Sequence, residues 1–168
     1  TGKNMNQNLG FVHIKNFIGK KDSLKIKKDL EKIIKSNVFM DNKITGKQSL
    51  NNLHKIFKTK HWKNYYKQLS EITKKYNKNK LKSSWCLKIL EKEKQFFHRH
   101  KNNTLTSIYY VSNENFELGT HIKNNDMEVI IPGYENSILI FKGELLHDAV
   151  FPKYKLKKPR FTLITDYE

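Results

Sequence analysis

Residues 85–111 read WCLKILEKEKQFFHRHKNNTLTSIYYV. Two parts of this stretch, 85–90 and 105–111, are rich in apolar and aromatic residues and have the length of strands. Between them stands His98-Arg99-His100. Side chains two apart on an extended chain face the same side, so the two imidazoles project together. A third histidine, His147, follows the apolar run 137–141 and a short loop. Folding could bring it to the same place, and three histidines on one face can hold a metal ion. Arg160 and Thr162 lie two apart on a later apolar run. They could grip a carboxylate beside the metal, the Arg through a two-pronged pair and the Thr through its hydroxyl.

Working outward, short β-rich runs recur at 119–122, 127–131, 148–151 and 160–165. Pro132-Gly133 and Lys142-Gly143 are turn signals between them. Several short strands with regular turns predict a sandwich or barrel. The first half reads differently. Residues 10–18 alternate apolar and polar and predict a strand. Asp22 or Ser23 can cap a helix carrying Leu24, Leu30, Ile33 and Ile34 at helical spacing, ending near Lys35. Residues 37–60 are polar and irregular, with Gly46 as a turn candidate. Trp62, Tyr65, Tyr66, Leu69, Ile72 and Tyr76 form a second helical stripe, read as core rather than as a base-stacking platform. Asn77 to Lys80 ends that helix. The expected fold is α+β but mainly β: a double-stranded β-helix (jelly roll, cupin-like) behind N-terminal supporting helices. One domain is expected over 1–168, with a strand and helical support over 1–83 and a jelly-roll core with the metal site over 84–168.

Composition removes several classes. No apolar run approaches the roughly 20 residues of a membrane helix. Cys86 is the single cysteine, so the chain has no internal disulfide and no thiolate metal cluster. Gly46-Lys47 lacks the glycine five residues earlier that a phosphate loop requires. An intracellular, cytoplasmic setting is the expectation. The net charge of +17 is uneven: residues 1–83 hold 21 lysines and 5 acidic residues, whereas 84–168 are nearly neutral. One reading is a surface for nucleic acid or an acidic partner, a non-enzymatic binding module on an inert scaffold. The other is compositional bias, since lysine, asparagine and isoleucine are all abundant and only 2 of 33 basic residues are arginine, the preferred reader of bases and phosphates.

The stretch 85–111 also resembles the 2-oxoglutarate/Fe(II)-dependent oxygenase superfamily, in particular its small phage and marine-bacterial members: a Trp strand, an H-x-H, then a strand like Ser107-Ile108-Tyr109-Tyr110-Val111. Pro132-Gly133, the run 137–141, His147, Pro152 and Arg160-Phe161-Thr162 are similar to the family's later motifs. The resemblance spans residues 85–165. It implies a hydroxylase that uses Fe(II), 2-oxoglutarate and O2, with succinate and CO2 as co-products, in a cytoplasm that is the host's if the chain is viral. It implies His98 and His147 as iron ligands, with His100 where the superfamily has a carboxylate. An alternative makes His100 the ligand and His98 its support; a third reading is a three-histidine metal enzyme without 2-oxoglutarate. Arg160 would bind the co-substrate's far carboxylate, helped by Thr162 and by whichever of Tyr109 and Tyr110 faces inward. His121, Arg99 and Trp85 are candidate substrate contacts. Asp148 is expected to point away from His147, because neighbours on a strand alternate.

Overall fold

The computed structural model describes residues 10–35, 40–41, 47–93 and 96–168. Seven strands form one antiparallel sheet. In spatial order they are β1 (Phe11–Ile14), β8 (Ile138–Lys142), β5 (Leu105–Ser112), β10 (Arg160–Tyr167), β4 (Leu81–Ile89), β3 (Lys47–Gln48) and β2 (Met40–Asp41). A smaller antiparallel sheet has the order β7 (Met127–Ile131), β6 (Thr120–Asn124), β9 (Leu146–Ala149). His98 extends it by a single antiparallel bridge to His147. From β4 onward the chain passes back and forth: large sheet, His98 bridge, β5 on the large sheet, β6 and β7 on the small, then β8, β9 and β10 in alternation. That winding makes a double-stranded β-helix, as the regularly spaced β-rich runs predict.

Period-two alternation divides the large sheet into two faces. On the inner face Leu87, Ile89, Ile108, Tyr110, Leu139, Phe141 and Ile164 pack with Ile122, Ile131 and Ala149 of the small sheet. On the outer face Cys86, Tyr109, Ile138, Ile140 and Leu163 pack against helices. Those helices are α1 (Lys20–Lys35), α2 (Leu53–Ile56) and α3 (Lys60–Thr73), the last running into a 3-10 turn at Lys74–Tyr76. The aromatic stripe of α3 is core: Trp62 and Tyr65 are wholly buried, and the Trp62 ring stacks on Phe57 with centroids 4.3 Å apart. Trp62 Nε1–H donates to Asp29 of α1 at 2.8 Å, which ties the two helices together. The Tyr109 hydroxyl lies 3.1 Å from Ser23 Oγ and 2.8 Å from Asn136 Oδ1, which ties α1 to the sheet.

Local details differ from the sequence expectation for physical reasons. The first strand stops at Ile14, because Asn16 takes a left-handed φ of 50° and Phe17 N–H turns to Asn136 O. Helix α1 begins at Lys20, ahead of Asp22, which sits in the first turn where the helix dipole favours a carboxylate. Its buried stripe is Ser23, Ile26 and Leu30, whereas Leu24 is 55% exposed. The side chain of Ile34 and the turn candidate Gly46 lie outside the described residues. The polar segment 37–60 is not devoid of structure: it carries β2, β3 and α2. After β7 the turn falls at Tyr134–Ser137, past Pro132-Gly133. Gly133 instead admits a close approach, since a Cβ there would stand 2.3 Å from the Tyr110 ring.

Among the described residues no helix is long and apolar enough to cross a membrane. Two measurements check the packing. Trp62→Ala removes a fully buried indole and should cost about 3–5 kcal/mol of unfolding free energy in denaturant titrations. Cys86 is wholly buried, which pushes its thiol well above the ordinary range. Because the thiolate is the nucleophile, a disulfide reagent such as Ellman's should modify Cys86 only on unfolding.

Candidate metal centre

The site begins as a backbone arrangement. His98 N–H donates to His147 O at 3.0 Å, and His147 N–H donates to His98 O at the same distance. Such a mutual pair puts two residues directly opposite each other, with side chains on one face. His100, two residues on, is held by its N–H to Gly143 O at 2.7 Å and returns to that face. The three rings consequently crowd together, with centroids 5.5 Å apart for His98 and His100, 4.4 Å for His98 and His147, and 5.0 Å for His100 and His147. One ring nitrogen of each lies within 4.8 Å of one from each of the others.

The other nitrogens are occupied by oxygen. His98 Nδ1 is 3.1 Å from Phe96 O, and His147 Nδ1 is 2.8 Å from Leu145 O. A carbonyl oxygen can only accept, so both Nδ1 atoms carry the proton and each Nε2 keeps its lone pair. His100 Nδ1 lies 2.9 and 3.0 Å from the two carboxylate oxygens of Asp166, so that nitrogen also carries a proton. Burial pushes the His147 imidazole down to about 3 and also lowers His98, because desolvation penalises the charged ring. Both are neutral at pH 7, the form that binds metal. Trp85 stacks on His100 at 5.8 Å and Phe141 stands edge-on to His147 at 4.6 Å, so the rings are clamped.

The histidines open into a cavity of about 340 Å³ that is also lined by Trp85, Leu87, Ile108, Arg160, Thr162 and Ile164. Arg160 is 2% exposed. Its Nη2 reaches the Tyr110 hydroxyl at 3.4 Å and Gly119 O at 3.3 Å, and the guanidinium lies 5.1 Å from the Tyr110 ring centre. Arg160 Nε and Nη1 are buried without a partner. Buried donors without a hydrogen bond are costly, so this pair of donors, beside the hydroxyl-bearing Thr162, is suited to an anion.

The sequence candidates sort as follows. His98, His100, His147, Arg160 and Thr162 share the cavity, with Arg99 and Trp85 on its lining. Tyr110 reaches it through Arg160 and a hydrogen bond to Thr120. Tyr109 faces the helices instead. His121 lies on the other side of β6 from Thr120, beside Glu128 at 3.4 Å, and lines a separate surface cleft. Asp148 also lines the cavity; it accepts from Phe96 N–H and Ala149 N–H and feels the Arg160 charge, while burial raises its carboxyl to about 6. Asp166 was not among the candidates. A period-two walk along β10 from Arg160 through Thr162 and Ile164 reaches it.

No protein-family model matches the chain, and no curated protein matches it in sequence. Its fold, however, is similar to solved structures over nearly its whole length. The non-heme alpha-ketoglutarate-dependent epimerase SnoN from nogalamycin biosynthesis superposes with a TM-score of 0.76 at 12% identity, covering 99% of this chain and 80% of that one. SnoN in complex with Fe3+, alpha-ketoglutarate and a nogalamycin compound gives 0.74 at 10%, covering 99% and 81%. A prolyl hydroxylase from Trichoplax adhaerens, bound to a hypoxia-inducible-factor peptide fragment, gives 0.74 at 16%, covering 99% and 86%. The chain therefore has the jelly-roll fold on which these enzymes are built.

Proposed function

We propose that the chain is an Fe(II)- and 2-oxoglutarate-dependent oxygenase that hydroxylates a C–H bond of its substrate. One observation carries this reading. A single cavity is lined by three histidines whose candidate ligand nitrogens lie within 4.8 Å of one another and by a buried arginine with two unpartnered nitrogens. The donor set fits the groups. Imidazole suits iron, and three ligands on one face leave room for a chelating co-substrate and oxygen. His98, His100 and His147 would hold the metal. Arg160 Nε and Nη1, with the Thr162 hydroxyl and the Tyr110 hydroxyl, would hold the far carboxylate of 2-oxoglutarate. When bound, iron and 2-oxoglutarate supply the oxidising power, with oxygen consumed and succinate and CO2 formed alongside the hydroxylated product.

The protein's own work is positioning and exclusion. Carbonyls and a carboxylate keep a proton on each Nδ1, so every ring presents its Nε2. Trp85 and Phe141 stop the rings from turning. Leu87, Ile108, Ala149 and Ile164 line the cavity with apolar surface that keeps water scarce. Arg160 provides a buried cation with two free N–H donors for an anionic guest. Arg99 and Trp85 line the cavity, and they are the residues of this chain we assign to substrate contact. The epimerase and hydroxylase among the similar structures share a fold while differing in outcome, so the assignment to hydroxylation rests on our reading of this cavity.

The lysine-rich helices do not favour the binding-module reading for the cavity. The exposed lysines 20, 21, 25, 28, 63 and 67 belong to α1 and α3, which cover the outer face of the large sheet, opposite the histidines.

Anaerobic addition of Fe(II) and 2-oxoglutarate to metal-free protein should develop a weak visible charge-transfer band. Arg160→Ala should weaken 2-oxoglutarate binding by about 30-fold or more, the scale of removing one partner of a buried charge pair, while metal binding persists. Absence of the band, together with no succinate on exposure to oxygen, would sink the proposal. Unchanged 2-oxoglutarate affinity in Arg160→Ala would favour a metal enzyme of another kind.

A further inference from the structure

Three imidazoles bring no negative charge to a divalent ion. The cavity already contains Arg160, two of whose buried nitrogens have no hydrogen-bond partner, and has Arg99 and Lys101 on its lining. Two carboxylates also line it, Asp148 and Asp166. Asp148 is spent on two backbone N–H groups. Asp166 differs: among the described residues it is the carboxylate that touches a ring of the cluster. Both of its oxygens lie within 3.0 Å of His100 Nδ1, and Oδ1 also accepts from the Thr106 hydroxyl at 2.7 Å. Its side chain is 13% exposed, and that of His100 is 11% exposed.

Resting on the function proposed above, we propose that Asp166 is the counter-charge of the metal centre, acting through the Nδ1–H of His100. Two effects follow from the geometry. The carboxylate fixes the ring's tautomer and orientation, so that Nε2 faces His98 and His147. It also makes His100 the strongest electron donor of the three, because a ring that donates to a carboxylate is more basic at its far nitrogen than rings that donate to carbonyls. Thr106 holds the carboxylate in place from the neighbouring strand. Asp166 is thus a positioning residue. It sets His100 apart from His98 and His147, whose Nδ1 protons go to the neutral backbone.

The test uses Co(II) as probe, added to the metal-free full chain. The parent should bind one Co(II), and Asp166→Asn should bind it ~10–100-fold more weakly, the usual effect of removing such an outer partner. Asp166→Glu should recover part of the loss. Thr106→Val, which keeps the carboxylate but loosens it, should give a smaller loss and guards against a misfolded Asp166→Asn. Proton spectra of the Co(II) protein supply a readout that a purely structural role would leave alone. Three shifted, exchangeable Nδ1–H signals are expected, and only one should move in Asp166→Asn. Equal Co(II) affinity in parent and Asp166→Asn, or movement of none of the three signals, would overturn the role of Asp166 while leaving the histidine centre intact. A parent that takes up no Co(II) would overturn both proposals.

Discussion

The site depends on one pair of backbone hydrogen bonds, those exchanged between His98 and His147. They join a segment with no other ladder partner to the edge of the small sheet. With that pair closed, the two imidazoles must lie on the same face, and His100 follows by alternation. Phe96 N–H to Asp148 Oδ2 and His100 N–H to Gly143 O hold the segment on either side of that pair. The histidine cluster is therefore a product of strand pairing more than of side-chain packing. The clamps supplied by Trp85 and Phe141 refine an arrangement that the main chain has already imposed.

Electrostatics then separates the roles within the cavity. Burial favours the neutral form of His98 and His147, whereas the Arg160 guanidinium is a fixed cation. The same dry environment thus produces a set of lone pairs at one place and an exposed demand for an anion at another. A jelly roll suits this division. Strands from both sheets converge on one interior, so groups distant in sequence meet without a long loop to carry them.

Much of this was legible in the residues, for definite reasons. Strands and the α3 stripe declare themselves by period, and β5 and β10 came out within a few residues of their observed ends. Arg160 and Thr162 share a face because they are two apart, which needs no tertiary knowledge. What escaped was what depends on partners remote in sequence. Tyr109 and Tyr110 are equivalent until one knows that α1 covers the outer face, and His121 fell to the outside of β6 for the same reason. Leu24 belongs to a helical pattern by spacing, but the sheet meets α1 along a neighbouring stripe. Asp166 was within reach of the alternation rule and was missed because the walk along β10 stopped at Thr162. The short strands β2 and β3 have sequences that only the edge of an existing sheet could organise.

The two faces of β5 have a further consequence for how such a protein can change over time. Tyr109 and Tyr110 are neighbours in sequence, but one answers to the helices and the other to the cavity. The sheet works as a partition. Substitutions on the helical side alter surface charge, partners or solubility, and the chemistry on the far side does not feel them. The exposed lysines of α1 and α3 lie on the helical side of that partition. The histidines, Arg160 and Asp166 sit on the other side of that partition.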